Sequence, residues 1–79
     1  NLEKYMNKLY EQLQDCAENN DLFLQPVNTM TFDVVEKLIQ KAIELNVKFY
    51  RSFVDDKDRV LLALYFGNST VELSERLGR

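Results

Sequence analysis

Residues 60–66, with the sequence VLLALYF, constrain the fold more than any other part of this chain. Seven consecutive apolar residues leave no face for water, whether the segment is a helix or a strand. Large apolar side chains of this kind are usually found inside a protein. We therefore expect residues 60–66 to lie at the centre of a core or an interface, with the rest of the chain packed around them.

The chain has 79 residues, of which 46% are apolar and 29% charged, which predicts one small domain over residues 1–79. Because it does not begin with methionine, we expect it to be excised from a longer chain. A domain of this size buries a modest fraction of its surface, so self-association would add to its stability.

Several classes of protein are disfavoured by residues that the chain lacks. It has one cysteine, Cys16, and no histidine, so neither an internal disulfide nor a zinc site is expected, and no imidazole can act as a base. No glycine-rich phosphate loop and no apolar run of membrane-spanning length is present. These observations predict a cytoplasmic protein in a reducing compartment that is not an enzyme, has no cofactor or metal and does not bind membranes. Cys16 is interpreted as a packed apolar residue, with a reactive thiol as the alternative.

Residues 2–18 are predicted to form an amphipathic helix, because apolar side chains recur there every three or four residues. Asn19 and Asn20 are expected to end it, since asparagine tolerates a left-handed backbone. Asp15, Glu18 and Asp21 cluster at the negative end of this helix dipole. They are interpreted as solvated side chains or, alternatively, as a docking point for a basic partner surface.

Residues 21–30 are expected to form an apolar connection that lies across the core. Thr31 can then cap a second helix, with Asp33 in its first turn. The face of that helix expected to be buried holds the apolar residues Phe32, Val35, Leu38, Ile39, Ala42, Ile43 and Leu45.

Residues 47–66 allow two interpretations. In the first, the second helix continues past Asn46 and stops at Asp55-Asp56, one of which caps a third helix with Asp58 in its first turn. Residues 61–64 (LLAL) favour helix by intrinsic propensity. In the second, the helix stops at Asn46, residues 47–54 alternate as a strand, and the aspartates form the turn of a hairpin, although that turn has no glycine. We expect a mainly α fold, a small helical bundle of three to four helices, with an α+β fold carrying a two-stranded hairpin at about 47–66 as the alternative. The aspartates are interpreted as turn or cap residues and not as metal ligands.

The last segment is predicted to be a short helix that begins at Ser69 or Thr70, is stopped by Gly78, and turns Val71, Leu73 and Leu77 inward. Its sequence Leu73-Ser74-Glu75-Arg76-Leu77-Gly78 resembles the first half of a helix-turn-helix motif, and residues 58–67 look like the helix that precedes such a motif. The resemblance implies a fragment of a DNA-binding transcription regulator that lacks its recognition helix. Nucleic acid would then bind only with additional chain, and Arg76 and Arg79 are the candidate contacts. The alternative is a short helix that closes the core.

The aromatic side chains are the remaining candidates for a site. In an acidic chain, with a net charge of -3, they are better interpreted as core or protein-interface residues than as a platform for bases. The expected function is a non-catalytic, regulatory protein-interaction module with a protein partner, itself expected to form homo-oligomers. The predicted interface residues are Phe23, Phe49, Tyr50, Phe53 and Tyr65.

Overall fold

The computed structural model describes residues 2–78 and has an α+β fold. Its elements are α1 (Leu2–Glu18), β1 (Leu22–Pro26), α2 (Phe32–Glu44), β2 (Phe49–Val54), β3 (Val60–Tyr65) and α3 (Thr70–Arg76). The three strands form one antiparallel sheet in the order β1-β3-β2. The prediction of a mainly α helical bundle is therefore wrong, and so is the description of the chain as α-helical. The α+β alternative is closer, although it lacked the strand β1.

The central strand β3 explains why the longest apolar run is a strand. It pairs with β1 on one side and with β2 on the other, so both of its edges are hydrogen-bonded. Both of its faces are also covered, and every residue from Leu61 to Phe66 is buried. Burial on two faces removes the need for alternation between apolar and polar residues.

One face of the sheet is covered by α1 and α2. Leu62 and Leu64 point to this side from β3 and join Phe23 of β1 in the main core. The helices contribute three buried residues each, which are Met6, Leu9 and Leu13 from α1 and Val34, Leu38 and Ala42 from α2. The three-residue and four-residue spacing of these positions matches one face of a helix.

Asn20 ends α1 and Thr31 caps α2, as predicted, and α2 stops before Asn46, as the strand interpretation of residues 47–54 requires. Asn20 has a φ of 53° and Asn46 a φ of 67°, the left-handed conformation that ends many helices. After Asn46, the N–H of Val47 donates to the carbonyl of Ala42 at 2.9 Å. At the start of α2, the hydroxyl of Thr31 accepts a hydrogen bond from the N–H of Val34.

The hairpin between β2 and β3 turns without glycine because Asp55 organises the backbone around it. Its carboxylate accepts hydrogen bonds from the N–H groups of Lys57 and Arg59, each at 2.9 Å, and pairs with the guanidinium of Arg59. Asp58 takes the left-handed position with a φ of 59°. Aspartate is one of the few residues that tolerate this conformation.

The short helix α3 covers the opposite face of the sheet. Ser69 caps it by accepting a hydrogen bond from Glu72, and Gly78 follows it with a φ of 73°. Leu73 and Leu77 pack against Ala63 and Tyr65 in a second, smaller core, as predicted. Val71 was expected inside the core but has 68% of its surface exposed. Residues 58–67 are a turn and a strand, so the helix expected to precede a helix-turn-helix motif is absent from this segment.

Candidate partner-binding surface

The strand β2 lies at an edge of the sheet and is the most exposed apolar strand of the fold. Five of its six residues are exposed, and Phe53 is half-buried. Among them are Phe49, Tyr50 and Val54, with exposed fractions of 40%, 67% and 57%. Neighbouring apolar side chains on an open edge are typical of a surface that meets another protein.

The backbone of β2 also presents unused hydrogen-bonding groups. The N–H of Asp55 donates to the carbonyl of Arg59, so the backbone of Asp55 faces β3. Backbone direction alternates along a strand, and the groups of Tyr50, Ser52 and Val54 therefore point away from the sheet. No hydrogen bond to these outward groups is formed within residues 2–78. The edge is thus available to another strand.

The opposite edge of the sheet, β1, is protected in two ways. The N–H of Leu22 points outward and donates to the side-chain carboxylate of Asp21 at 2.7 Å. Pro26 also occupies an outward position and has no N–H to donate. Leu24 is the remaining outward residue of β1. Proline at an edge is a common means of preventing strands from pairing.

The helix α2 also carries apolar side chains that the core does not cover. Phe32 and Ile43 have exposed fractions of 78% and 60%, although the sequence predicted both as buried. They lie about 140–160° around the helix from Leu45, given 100° per residue. Leu45 borders the same cleft as Ala17 of α1, so this exposed row lies on the side of α2 that faces away from α1.

The width of the apolar face of α2 was a signal for this row. Its apolar positions span about 180° of the helix surface, whereas one packed face usually needs little more than about 100°. A helix packed on a sheet and one neighbouring helix cannot bury so wide an arc. Phe32 and Ile43 lie at the margin of this apolar arc and are therefore the residues left exposed.

The five predicted interface residues fall into two groups. Phe49, Tyr50 and Phe53 all lie on β2, with Phe49 and Phe53 on the face of the sheet that α3 covers and Tyr50 on the face that α1 and α2 cover. Phe23 and Tyr65 are 2% and 1% exposed and belong to the two cores. The ring of Tyr65 also stacks on that of its cross-strand neighbour Phe49, with centroids 6.3 Å apart.

Arg76, one of the two candidates for contact with nucleic acid, pairs instead with Asp21 of the same chain. Its guanidinium donates to the Asp21 carboxylate and, together with the N–H of Leu22, holds the pKa of Asp21 below its ordinary value. The same carboxylate raises the pKa of Arg76. Arg76 of α3 thus supplies the positive charge that lies near the acidic C-terminal end of α1. Arg79 lies outside the described residues.

A cavity of about 70 Å³ separates α3 from the sheet. Small-molecule sites usually measure about 300–1,000 Å³, so this cavity is too small for a ligand of that kind. It is bordered by Phe49, Tyr50, Arg51, Ala63, Tyr65, Leu73, Ser74 and Leu77.

The described part of the chain offers no cluster of three or more histidine, cysteine or acidic residues that could bind a metal ion. None of the helices within residues 2–78 has both the length and the apolar character needed to cross a membrane. Comparison with known protein families, with curated proteins and with solved structures finds no match to this chain.

Proposed function

We propose that this chain is a non-catalytic protein-interaction module that binds its partner through the outer edge of β2. The observation that carries the proposal is the open edge at Tyr50, Ser52 and Val54, where free backbone groups and exposed apolar side chains occur together. An added strand would satisfy the backbone groups, while the side chains beside it would supply apolar contact.

The row on α2 extends this surface. Phe32 and Ile43 are exposed on the side of α2 that faces away from α1. Because α1 contacts β1, at the other edge of the sheet, this side of α2 is the one directed towards β2, and we expect a partner at the edge of β2 to contact both residues. Aromatic and aliphatic side chains surrounded by polar residues are the usual centre of a protein interface. A regulatory role would follow from the identity of the partner that occupies this edge.

The proposal is tested by site-specific photo-crosslinking in the cells that produce the chain. A photoreactive residue replaces Tyr50 in one variant and Asn7, an exposed residue on the far side of α1, in a control. We expect a discrete crosslinked protein band from position 50 and only background from position 7. The band should disappear when Ser52→Pro is added, because proline blocks an outward N–H without removing a bond to β3. Equal background from both positions would contradict the proposal.

A further inference from the structure

We propose that the partner at this edge is a second copy of the same chain, paired antiparallel through β2 so that the two sheets become one sheet of six strands. This inference rests on the proposed function and names the occupant of that surface. The two copies would be related by a two-fold axis that passes through the Ser52 pair. Three properties of the chain support it, two in β2 and one in α2.

The first property is the self-complementary backbone of the edge. A two-fold axis perpendicular to the sheet keeps each face on its own side, so residues that oppose each other must point to the same face. An axis at Ser52 places Ser52 opposite its own copy and Tyr50 opposite Val54 of the second copy. All three residues present their backbone groups outward, so each opposed pair can exchange both of its hydrogen bonds.

The second property is the charge at the two ends of the strand. Lys48 precedes β2, and Asp55 and Asp56 follow it. Antiparallel pairing brings Lys48 of one copy to the acidic end of the other, whereas parallel pairing would bring like charges together. Neither Lys48 nor Asp56 forms an ion pair within residues 2–78, so both remain available for this contact.

The same reasoning selects the register. Moving the axis to Arg51 would place two guanidinium groups opposite each other, and like charges in that position destabilise a strand pair. Moving it to Phe53 would pair residues 52–54 with each other and leave Phe49 and Tyr50 opposite the turn of the second copy. The axis at Ser52 pairs residues 50–54 with no like charges opposed.

The third property is the exposed row on α2. In the six-stranded sheet, α2 of each copy lies on the same face, and the two helices run antiparallel across the axis. The Phe32 end of one helix therefore faces the Ile43 end of the other, above the pairs formed by Tyr50 and Val54. Side chains that the monomer leaves exposed by 57–78% would be covered together.

Cysteine crosslinking tests the register. In a Cys16→Ser background, single cysteines replace Arg51, Ser52 or Phe53, and Leu24→Cys on the edge of β1 is the matched control. Cross-strand Cα distances at the axis suit a disulfide, so mild oxidation should convert most of Ser52→Cys into a covalent dimer. We expect at least about ten-fold slower crosslinking at positions 51 and 53, where the second thiol is offset by two residues along the strand, and at position 24, which lies on the other edge of the sheet. Faster crosslinking at position 51, 53 or 24 would overturn the proposed pairing.

Light scattering and sedimentation then test the partner itself, with variants that leave the fold intact. The wild-type chain should have twice the monomer mass of 9.3 kDa, and Ser52→Pro should have the monomer mass with an unchanged circular dichroism spectrum. Lys48→Glu should raise the dimer Kd roughly ten-fold, and adding Asp56→Lys should restore it. A chain that stays monomeric up to about 1 mM would overturn the inference. If crosslinking from Tyr50 in cells still yielded a band, the proposed function would stand with a different partner.

Discussion

The phenol ring of Tyr65 lies over Gly67, in the space that a Cβ atom on Gly67 would occupy. Tyr65 is almost fully buried, and its ring is held on the other side by stacking against Phe49. Position 67 therefore requires glycine because there is no room for a side chain. A left-handed backbone is not the reason, since Gly67 does not adopt that conformation. Glycine at this position leaves room for the ring where the chain passes from β3 towards α3.

Gly67→Ala should consequently lower the free energy of unfolding by about 2 kcal/mol or more, because the new methyl group must displace a packed ring. Urea unfolding followed by circular dichroism measures the change. Gly78→Ala is the matched control, since the space around Gly78 is open and only its positive φ of 73° opposes a side chain. That control should cost about 1 kcal/mol. Equal losses in the two variants would show that the ring of Tyr65 can move aside.

The ion pair between Asp21 and Arg76 should make the fold less stable in acid. The pKa of Asp21 is lowered in the folded chain, first by the hydrogen bond from Arg76 and then by that from Leu22. A carboxylate with a lowered pKa stabilises the fold above its ordinary pKa of 3.8, and this contribution is lost as the pH falls through the lowered pKa. The pKa of Asp55 is also lowered, chiefly by the N–H of Arg59, and acts in the same direction.

The urea midpoint should therefore fall as the pH is decreased from 5 to about 2. Asp21→Asn should lower the midpoint at neutral pH and flatten its fall in acid, because this variant has no carboxylate to protonate at that position. The remaining slope should come in part from Asp55. An unchanged pH profile in Asp21→Asn would show that the pair with Arg76 contributes nothing to folding.

Asn46 should tolerate glycine better than alanine. It holds a φ of 67° at the end of α2, where the N–H of Val47 bonds to the carbonyl of Ala42. Alanine in this conformation should lower the free energy of unfolding by about 1 kcal/mol, whereas glycine should maintain or raise it. Thermal unfolding of the two variants measures the difference. The opposite order would mean that the amide side chain of Asn46 matters more than its backbone.

Cys16 should react slowly with thiol reagents. It is half-buried against the main core, and burial raises the pKa of its thiol, with a further increase from the charges of Asp21 and Asp15. The thiolate is the reactive form, so alkylation at pH 8 should be at least about ten-fold slower in the folded chain than in urea. Mass spectrometry of the alkylated chain over time gives both rates. Similar rates in the two states would show that the C-terminal turn of α1 opens readily.

The helices were predictable because their periodicity and capping residues are local properties. Asn20, Asn46, Thr31 and Ser69 all act at helix ends as their chemistry suggests. The three strands were harder to predict from the sequence. Residues 61–64 favour helix when considered alone, but as a strand this segment gains hydrogen bonds on both edges and burial on both faces. That outcome depends on β1, a strand of five residues ending at Pro26 that was expected to be part of the connection over residues 21–30.

The candidate surface was predicted only in part, for a related reason. Residue type identified the aromatic residues, but type alone does not separate Tyr50, at an open edge, from Tyr65, one strand further in. The separation requires the strand order, in which β1 pairs with β3 across many residues of sequence and so leaves β2 at the edge. Asp58 presents the same problem at the turn, since its left-handed backbone becomes evident only when both strands are in place.

The unequal edges of the sheet also limit how large an assembly this fold can build. Pro26 and the carboxylate of Asp21 protect β1, so each molecule has one edge to offer. A unit with a valence of one can form pairs but cannot polymerise, because joining two such units leaves no free edge at either end. Pro26 and the carboxylate of Asp21 would therefore prevent fibre formation, while β2 remains able to pair with another strand.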